Sequence, residues 1–284
     1  MPRPRDFLAL GQLPVGPHGA ITDVAGVRVG HVSLTSGDLR TGVTAVLPHG
    51  RNLYREKVTA GCAVLNGYGK SIGLLQLEEL GTIETPVLIT STLNVPRVAD
   101  GLISYMLTQD DSIGITETVN PVVLECFDGY LSDARARAAG EREVSETVRS
   151  ASGGRVAEGC VGAGVGMRCQ GFKSGVGTSS RLAGESGHMV GVLAVPNFGF
   201  PGDLVIAGVP VGKELATAGQ PSERDRASSS SPPMRRWQRS TSGGWRGDVF
   251  SAWRGPAPSA GIPAGIWPLP SRHILGKSNR SAQR

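Results

Sequence analysis

From residue 20 to residue 212 short apolar runs alternate with glycine, and their period changes several times. In "AITDVAGVRVGHV" (20–32) apolar and polar positions alternate with glycine at the turns, which predicts a strand; "TGVTAVLPHG" (41–50) and "GCAVLNGYG" (61–69) predict two more. "SIGLLQLEELG" (71–81) predicts a short helix stopped by Gly81. "TPVLITSTLN" (85–94) reads as a strand. "VPRVADGLISYMLTQ" (95–109) has helical spacing, with Pro96 suited to a first turn. "NPVVLECFDGYL" (120–131) is a strand entering a turn, and "SDARARAAGEREVSETVRSA" (132–151) an amphipathic helix. A long glycine-rich β segment (159–181) and two apolar strands, "HMVGVLAVPNFG" (188–199) and "DLVIAGVPVG" (203–212), complete the pattern. Strands and helices mix without strict alternation, which favours α+β layers over a doubly wound sheet.

After Gly212 the periodicity stops. "KELATAGQPSERDRASSSSPP" (213–233) reads as an exposed loop, and "GPAPSAGIPAGIWPLP" (255–270) is too broken by proline to be a central strand. Composition changes at the same place. The formal charge of +5 divides into 18 basic and 21 acidic residues up to residue 220, and 11 basic and 3 acidic beyond it. All four tryptophans lie in this tail. The overall basicity therefore describes the tail and says little about the body.

The 284 residues suffice for one large domain or two small ones, and 41 glycines with many β-branched residues favour short strands and tight turns. Cys62, Cys126, Cys160 and Cys169 are too scattered for a disulfide framework and are expected as small buried thiols in a reducing compartment. Residues 1–14 contain no apolar core of signal-peptide length, and no run reaches the ~20 apolar residues of a membrane helix. A soluble, cytoplasmic protein without membrane contact is expected.

Candidate chemistry is sparse. Gly162, Gly164 and Gly166 fall short of a dinucleotide fingerprint, and "GFKS" is not a phosphate loop; close backbone approach explains the glycines better. The five histidines form no metal pattern, and no G-x-S-x-G elbow is present. Glu125 stands at the end of an apolar strand, where it is either a loop cap or a carboxylate facing a cleft. Asn197, in "VPNFG", is a turn former or a donor to an oxyanion.

Six blocks in order, "GAITDVAGVRVGHV", "VLNGYGK", "LEELGTIETPVLITSTLNV", "NPVVLECFDGYLSD", "EGCVGAGVGMRCQGFKSGVGTSSR" and "VPNFG…LVIAGVPVG", resemble the L-aminopeptidase/D-amidase/D-esterase (DmpA-type) family, which includes β-peptidyl aminopeptidases. The resemblance implies a four-layer αββα sandwich similar to N-terminal-nucleophile hydrolases. It implies a serine aminopeptidase that cuts its own chain before a serine and hydrolyses short peptides, amides or esters bearing a free amino group. Carried over by motif, Asn197 corresponds to the oxyanion-hole asparagine and Glu125 to the carboxylate that receives the substrate's amine. Phe127 and Tyr130 shape the pocket, residues 162–177 line the cleft, and "ITSTLN" lies near it. The implied partner is a peptide or amino-acid amide, with no cofactor, no metal and no nucleic acid, in a homo-oligomer.

The tail departs from this family. No Gly-Ser dipeptide precedes an apolar strand, and Ser240, with Ser242 beside it, is the nucleophile candidate that remains. Residues 1–216 therefore read as the α-chain-like part of one domain. Residues 217–284 read as a divergent, disordered or frame-shifted segment, since out-of-frame GC-rich sequence yields Arg, Ser, Gly, Pro, Ala and Trp. On this reading the sandwich is incomplete, and a catalytically inactive family member is the alternative. A basic-tailed nucleic-acid binder is a further one, since basic residues interleaved with aromatics bind single strands.

Overall fold

A computed structural model describes residues 7–8, 11–64, 68–184, 187–217 and 250–254. The first sheet takes its strands from the apolar runs. β1 (Arg28–Leu34) pairs antiparallel with β2 (Thr41–Leu47). After the short pair β3 (Val58–Thr59) and β4 (Thr82–Ile83), separated by helix α1 (Leu74–Leu80), β5 (Val87–Ser91) joins β2 antiparallel and β6 (Val122–Cys126) joins β5 in parallel. The order is β1-β2-β5-β6. Every residue of β2 and β5 is buried, as expected of strands covered on both faces.

Period-two alternation splits these strands between two cores. Val46, Val87, Ile89, Val122, Leu124 and Cys126 face one side, and Val43, Ala45, Leu88 and Val123 face the other. On the second side lie α2 (Val95–Leu107) and α3 (Glu141–Arg149), through Val98, Leu102, Val144 and Val148. α3 crosses β1 in backbone contact: a Cβ on Gly30 would stand 2.0 Å from the Thr147 carbonyl oxygen, so only glycine fits there.

The other core is closed by a second sheet. β7 (Arg168–Cys169) and β8 (Phe172–Lys173) form a small hairpin, and β9 (Gly177–Ala183) pairs antiparallel with β10 (His188–Ala194). Leu193, Val195 and Val176 complete the apolar layer between the sheets. After α4 (Val211–Thr217), β11 (Phe250–Arg254) pairs antiparallel with β10, so five residues of the tail belong to this sheet. The expected α+β layered sandwich is thus formed in the order helices, sheet, sheet, as three of four layers among the described residues.

Four expectations change. Residues 61–64 and 68–69 form no strand, and Cys62 packs against the core from an irregular segment. The helix expected over 132–151 begins only at Glu141, after a 3₁₀ turn at Ala134–Ala136. Tertiary contacts override propensity there: Arg137 sits at φ 46°, its Nε donates to the Leu93 carbonyl at 3.0 Å, and Arg97 donates to the Arg137 carbonyl. Gly140 then caps α3, its N–H donating to Glu143 at 2.9 Å. "DLVIAGVPVG" gives no strand but a tight reversal, with Ile206 and Val209 exchanging backbone hydrogen bonds across Ala207 and Gly208, both at positive φ. The loop expected after Gly212 begins as α4.

Of the cysteines, Cys126 alone is fully buried; Cys160 is exposed, and all four are free thiols. Among the described residues no helix is long and apolar enough to cross a membrane.

Candidate active site

The parallel pairing of β5 and β6 sets Thr90 beside Glu125 and Ser91 beside Cys126. Leu124 and Cys126 point between the sheets, so alternation turns Glu125 to the opposite face of its strand. Just past β5, a 3₁₀ turn at Thr92–Asn94 brings the Thr92 hydroxyl to the Glu125 carboxylate, donating to Oε2 at 2.5 Å. The carboxylate is half-buried and its direction is fixed by a neighbour.

One residue beyond β6 the chain turns and presents two aromatics. Phe127 (42% exposed) and Tyr130 (68% exposed) meet edge to face, with centroids 5.5 Å apart and planes at 78°. The Arg168 guanidinium lies over the Tyr130 ring at 4.8 Å. This leaves an apolar wall open to solvent two residues from Glu125.

Asn197 follows β10, on the second sheet. Its Nδ2 donates to the Phe127 carbonyl at 2.6 Å and makes longer contacts, at 3.5 Å, with the Arg168 carbonyl and the Met167 sulfur. Gln170 N–H donates to the Phe198 carbonyl at 2.5 Å. The segment bearing Asn197 is thereby tied to the turn that follows Glu125, and the ends of the two sheets are held together.

Under the aromatic turn lies Asp128, which is 1% exposed. Ser91 Oγ donates to its Oδ1 at 2.7 Å, while Oδ2 has no hydrogen-bond partner among the described residues. Burial pushes this carboxyl above the usual carboxylate range, and the Thr41 and Ser91 hydroxyls hold back part of the rise. Gly166 closes the floor: a Cβ there would come within 2.7 Å of Asp128 Cβ and 2.1 Å of the Arg40 carbonyl oxygen.

The glycine-rich segment is mostly packing material. Gly162–Gly164 form a buried 3₁₀ turn against β2, anchored by Gly162 N–H on Ser33 Oγ (2.8 Å) and Ala163 N–H on Thr44 Oγ1 (3.1 Å). His31 Nδ1 lies 3.0 Å from the same Thr44 oxygen, and burial lowers its pKa to about 4, so it is neutral near pH 7. Among the described residues no group of three His, Cys, Asp or Glu side chains could hold a metal ion.

Of the residues singled out from sequence, Glu125, Phe127, Tyr130 and Asn197 thus gather around one turn, while Ser240 and Ser242 lie outside the described residues. Sequence reasoning passed over Asp128 and Arg168. Asp128 in "FDG" reads as a turn residue, and its burial depends on Ser91 and Gly166, which are remote in sequence.

The family model of peptidase family S58 matches residues 19–242. The chain is 42% identical over 226 residues to the β-peptidyl aminopeptidase BapA of Sphingosinicella microcystinivorans, covering 76% of this chain and 56% of that protein. It therefore spans little more than half the length of this curated relative. Its structure is similar to the PH0078 protein from Pyrococcus horikoshii OT3, with TM-score 0.73 and 47% identity, over 75% of this chain and 63% of that one. It is similar too to the L-aminopeptidase D-Ala-esterase/amidase from Ochrobactrum anthropi, described as a prototype of the serine aminopeptidases and a variant of the Ntn hydrolase fold. There the TM-score is 0.70 and the identity 33%, over 76% of this chain and 63% of that one.

Proposed function

The chain belongs to peptidase family S58, and from that premise we propose that it is a self-processing serine aminopeptidase for short peptides, amides or esters with a free amino terminus. The observation that carries the reading is the Glu125 carboxylate, fixed by Thr92 beside the Phe127–Tyr130 wall and within two residues of the Asn197 anchor. A substrate ammonium binds Glu125 through a charge-assisted hydrogen bond, and the adjoining side chain lies on the aromatic pair. A primary amide has two N–H bonds. Asn197 Nδ2 is held by the Phe127 carbonyl at 2.6 Å and by the Arg168 carbonyl and Met167 sulfur at 3.5 Å; in this reading the oxygen of a tetrahedral intermediate displaces the two long contacts and accepts that N–H.

The nucleophile in this reading is a serine of the tail, Ser240 or Ser242, made N-terminal by cleavage of the preceding peptide bond. Its new α-amino group, with a pKa of roughly 7.7–8.0, takes the hydroxyl proton as Oγ attacks the scissile carbonyl. The proton passes to the leaving amine, and water releases the acyl group from Oγ. The cytoplasm and a homo-oligomer belong to the same proposal.

The full-length chain, expressed and run on a denaturing gel, separates into two fragments if this is correct, and hydrolyses amino-acid p-nitroanilides but not their N-acetyl forms. Glu125→Gln lowers kcat/KM by about 10- to 100-fold, the equivalent of one charged hydrogen bond. A single band with no hydrolysis of any p-nitroanilide overturns the proposal and leaves an inactive family member.

A further inference from the structure

A second pocket, of about 150 Å³, lies at the opposite end of the first sheet from Glu125. Pro86, which precedes β5, is in its lining, whereas Ser91 at the other end of β5 is beside the candidate active site. Five strand residues at ~3.3 Å each separate the two by roughly 17 Å. Arg28, the first residue of β1, enters the pocket alongside Tyr105 and Met106 of α2. Nothing in the proposed peptidase chemistry uses these groups.

Arg28 is an unusual arginine. The residue is half-buried, and its Nε is fully buried with no hydrogen-bond partner among the described residues. A buried charged donor without an acceptor is costly, and a ligand that supplies one removes the cost. The other cations nearby are occupied: Arg51 pairs with Glu56 at 2.8 Å and Arg55 with Asp110 at 2.5 Å. Both ring nitrogens of His49 are engaged, Nε2 with the Glu56 carbonyl at 2.8 Å and Nδ1 with the Arg51 backbone N–H at 3.2 Å.

The lining contains no Asp or Glu. The last carbonyls of α2 would repel an anion, but those of Tyr105 and Met106 are engaged by the N–H groups of Thr108 and Gln109 at 3.0 and 2.9 Å. Tyr105 and Arg28 both line the pocket, which brings a phenol-bearing and a guanidinium-bearing side chain to one space. Gly50 keeps that space open beside the guanidinium, since a Cβ there would lie 3.4 Å from Nη2.

We propose that this pocket binds a small oxyanion, a single phosphate or carboxylate group, held by the Arg28 guanidinium and the Tyr105 hydroxyl. The planar fork of arginine matches two oxygens of either group, and the volume admits one such group with a short appendage.

Equilibrium dialysis of the full-length chain against radiolabelled inorganic phosphate, and in a second arm against radiolabelled acetate, tests this at constant ionic strength. One saturable site per chain is expected, half-filled at or below about 1 mM and not displaced by chloride. Binding in the phosphate arm alone identifies a phosphate ligand, and binding in the acetate arm alone an organic acid. Arg28→Met abolishes the saturable component, and Tyr105→Phe weakens it about tenfold. Should Arg28→Met fail to fold by circular dichroism, Arg28→Lys decides, since a point charge without the fork binds more weakly. No saturable binding of either anion, or unchanged binding in the Arg28 and Tyr105 variants, overturns the proposal.

Discussion

Replacing Gly166 by alanine tests whether the glycine-rich segment forms the floor of the candidate site. The added Cβ would lie 2.1 Å from the Arg40 carbonyl oxygen and 2.7 Å from Asp128 Cβ. A carbon needs about 3.3 Å from a carbonyl oxygen, so main chain must shift by more than an ångström. Neither obstacle is the tip of a flexible side chain. Overpacking a tight interior costs typically ~1–3 kcal/mol, and two unyielding neighbours place this case at about 3 kcal/mol. In urea, with a slope of about 2 kcal/mol/M, the midpoint falls by roughly 1.5 M. Gly153 is the control: nothing lies within 4 Å of a Cβ there and its φ is not positive. Gly153→Ala is expected to stabilise by about 0.4–1 kcal/mol through the unfolded chain. The same shift displaces Asp128 and with it the Phe127–Tyr130 turn, and a misplacement of about 1 Å lowers turnover ~100-fold if the chain is an active peptidase. Equal urea midpoints for Gly166→Ala and Gly153→Ala would refute the packing argument.

Three further substitutions probe buried charge. Glu84, 3% exposed, accepts from Lys57 at 2.6 Å, Gln76 at 3.2 Å and the Asn120 N–H at 2.7 Å; Glu84→Ala is expected to cost about 2–3 kcal/mol in urea unfolding, chiefly by orphaning the Asn120 N–H, because Lys57 can turn to water. A loss below about 0.5 kcal/mol would contradict that account. His31 has a folded pKa of about 4 against 6.5 unfolded, so the unfolded chain binds the proton first and stability falls as pH drops from about 6.5 toward 4; the loss is about 3 kcal/mol, and His31→Gln removes it, as urea midpoints across that range will show. Asp128 has a raised folded pKa, so its contribution is present below the unfolded value and is lost as pH rises through the folded one. Asp128→Asn, which keeps the Ser91 hydrogen bond, is therefore at least as stable as the native chain at pH 8 and loses that advantage by pH 3; an Asn variant clearly weaker at pH 8 would contradict the sign.

Legibility in the sequence followed burial. The runs 41–50, 85–94 and 120–131 read as strands and hold strands at 41–47, 87–91 and 122–126, where nearly every position is buried. The run 203–212 has the same composition but leaves Val205 57% and Val209 46% exposed, so no neighbouring strand turns its propensity into a ladder. Gly81 was readable as a helix stop because its left-handed φ of 64° is a local property. The premature helix at 132 failed for the opposite reason: Arg97 and Leu93, some 40 residues back, dictate the backbone around Arg137. Glu125 could be suspected from its strand end alone. Its Thr92 partner, the burial of Asp128 and the Asn197 anchor exist only once β5, β6 and β10 have assembled.

That assembly is held by different forces along its length. Between the sheets the apolar layer runs to Cys126 on β6 and Val195 beyond β10, and there area alone fixes the spacing. Past those residues a directional contact, Asn197 to the Phe127 carbonyl, joins the sheets; Gln170 on the Phe198 carbonyl braces it on one side and Ser91 on Asp128 braces it on the other. Each is worth only about 0.5–1.5 kcal/mol net, or somewhat more where a charge takes part, and the aromatics above them stay partly open to solvent. The middle of the sandwich therefore sets whether the chain folds, and the seam sets where Glu125 and Asn197 stand relative to each other. Such a division suits the proposed site for short substrates, because the seam can adjust by tenths of an ångström without drawing on the core. It also explains why the residues proposed to carry the chemistry are polar groups tied to main-chain carbonyls and hydroxyls, in a region where apolar packing would have fixed distance but not direction.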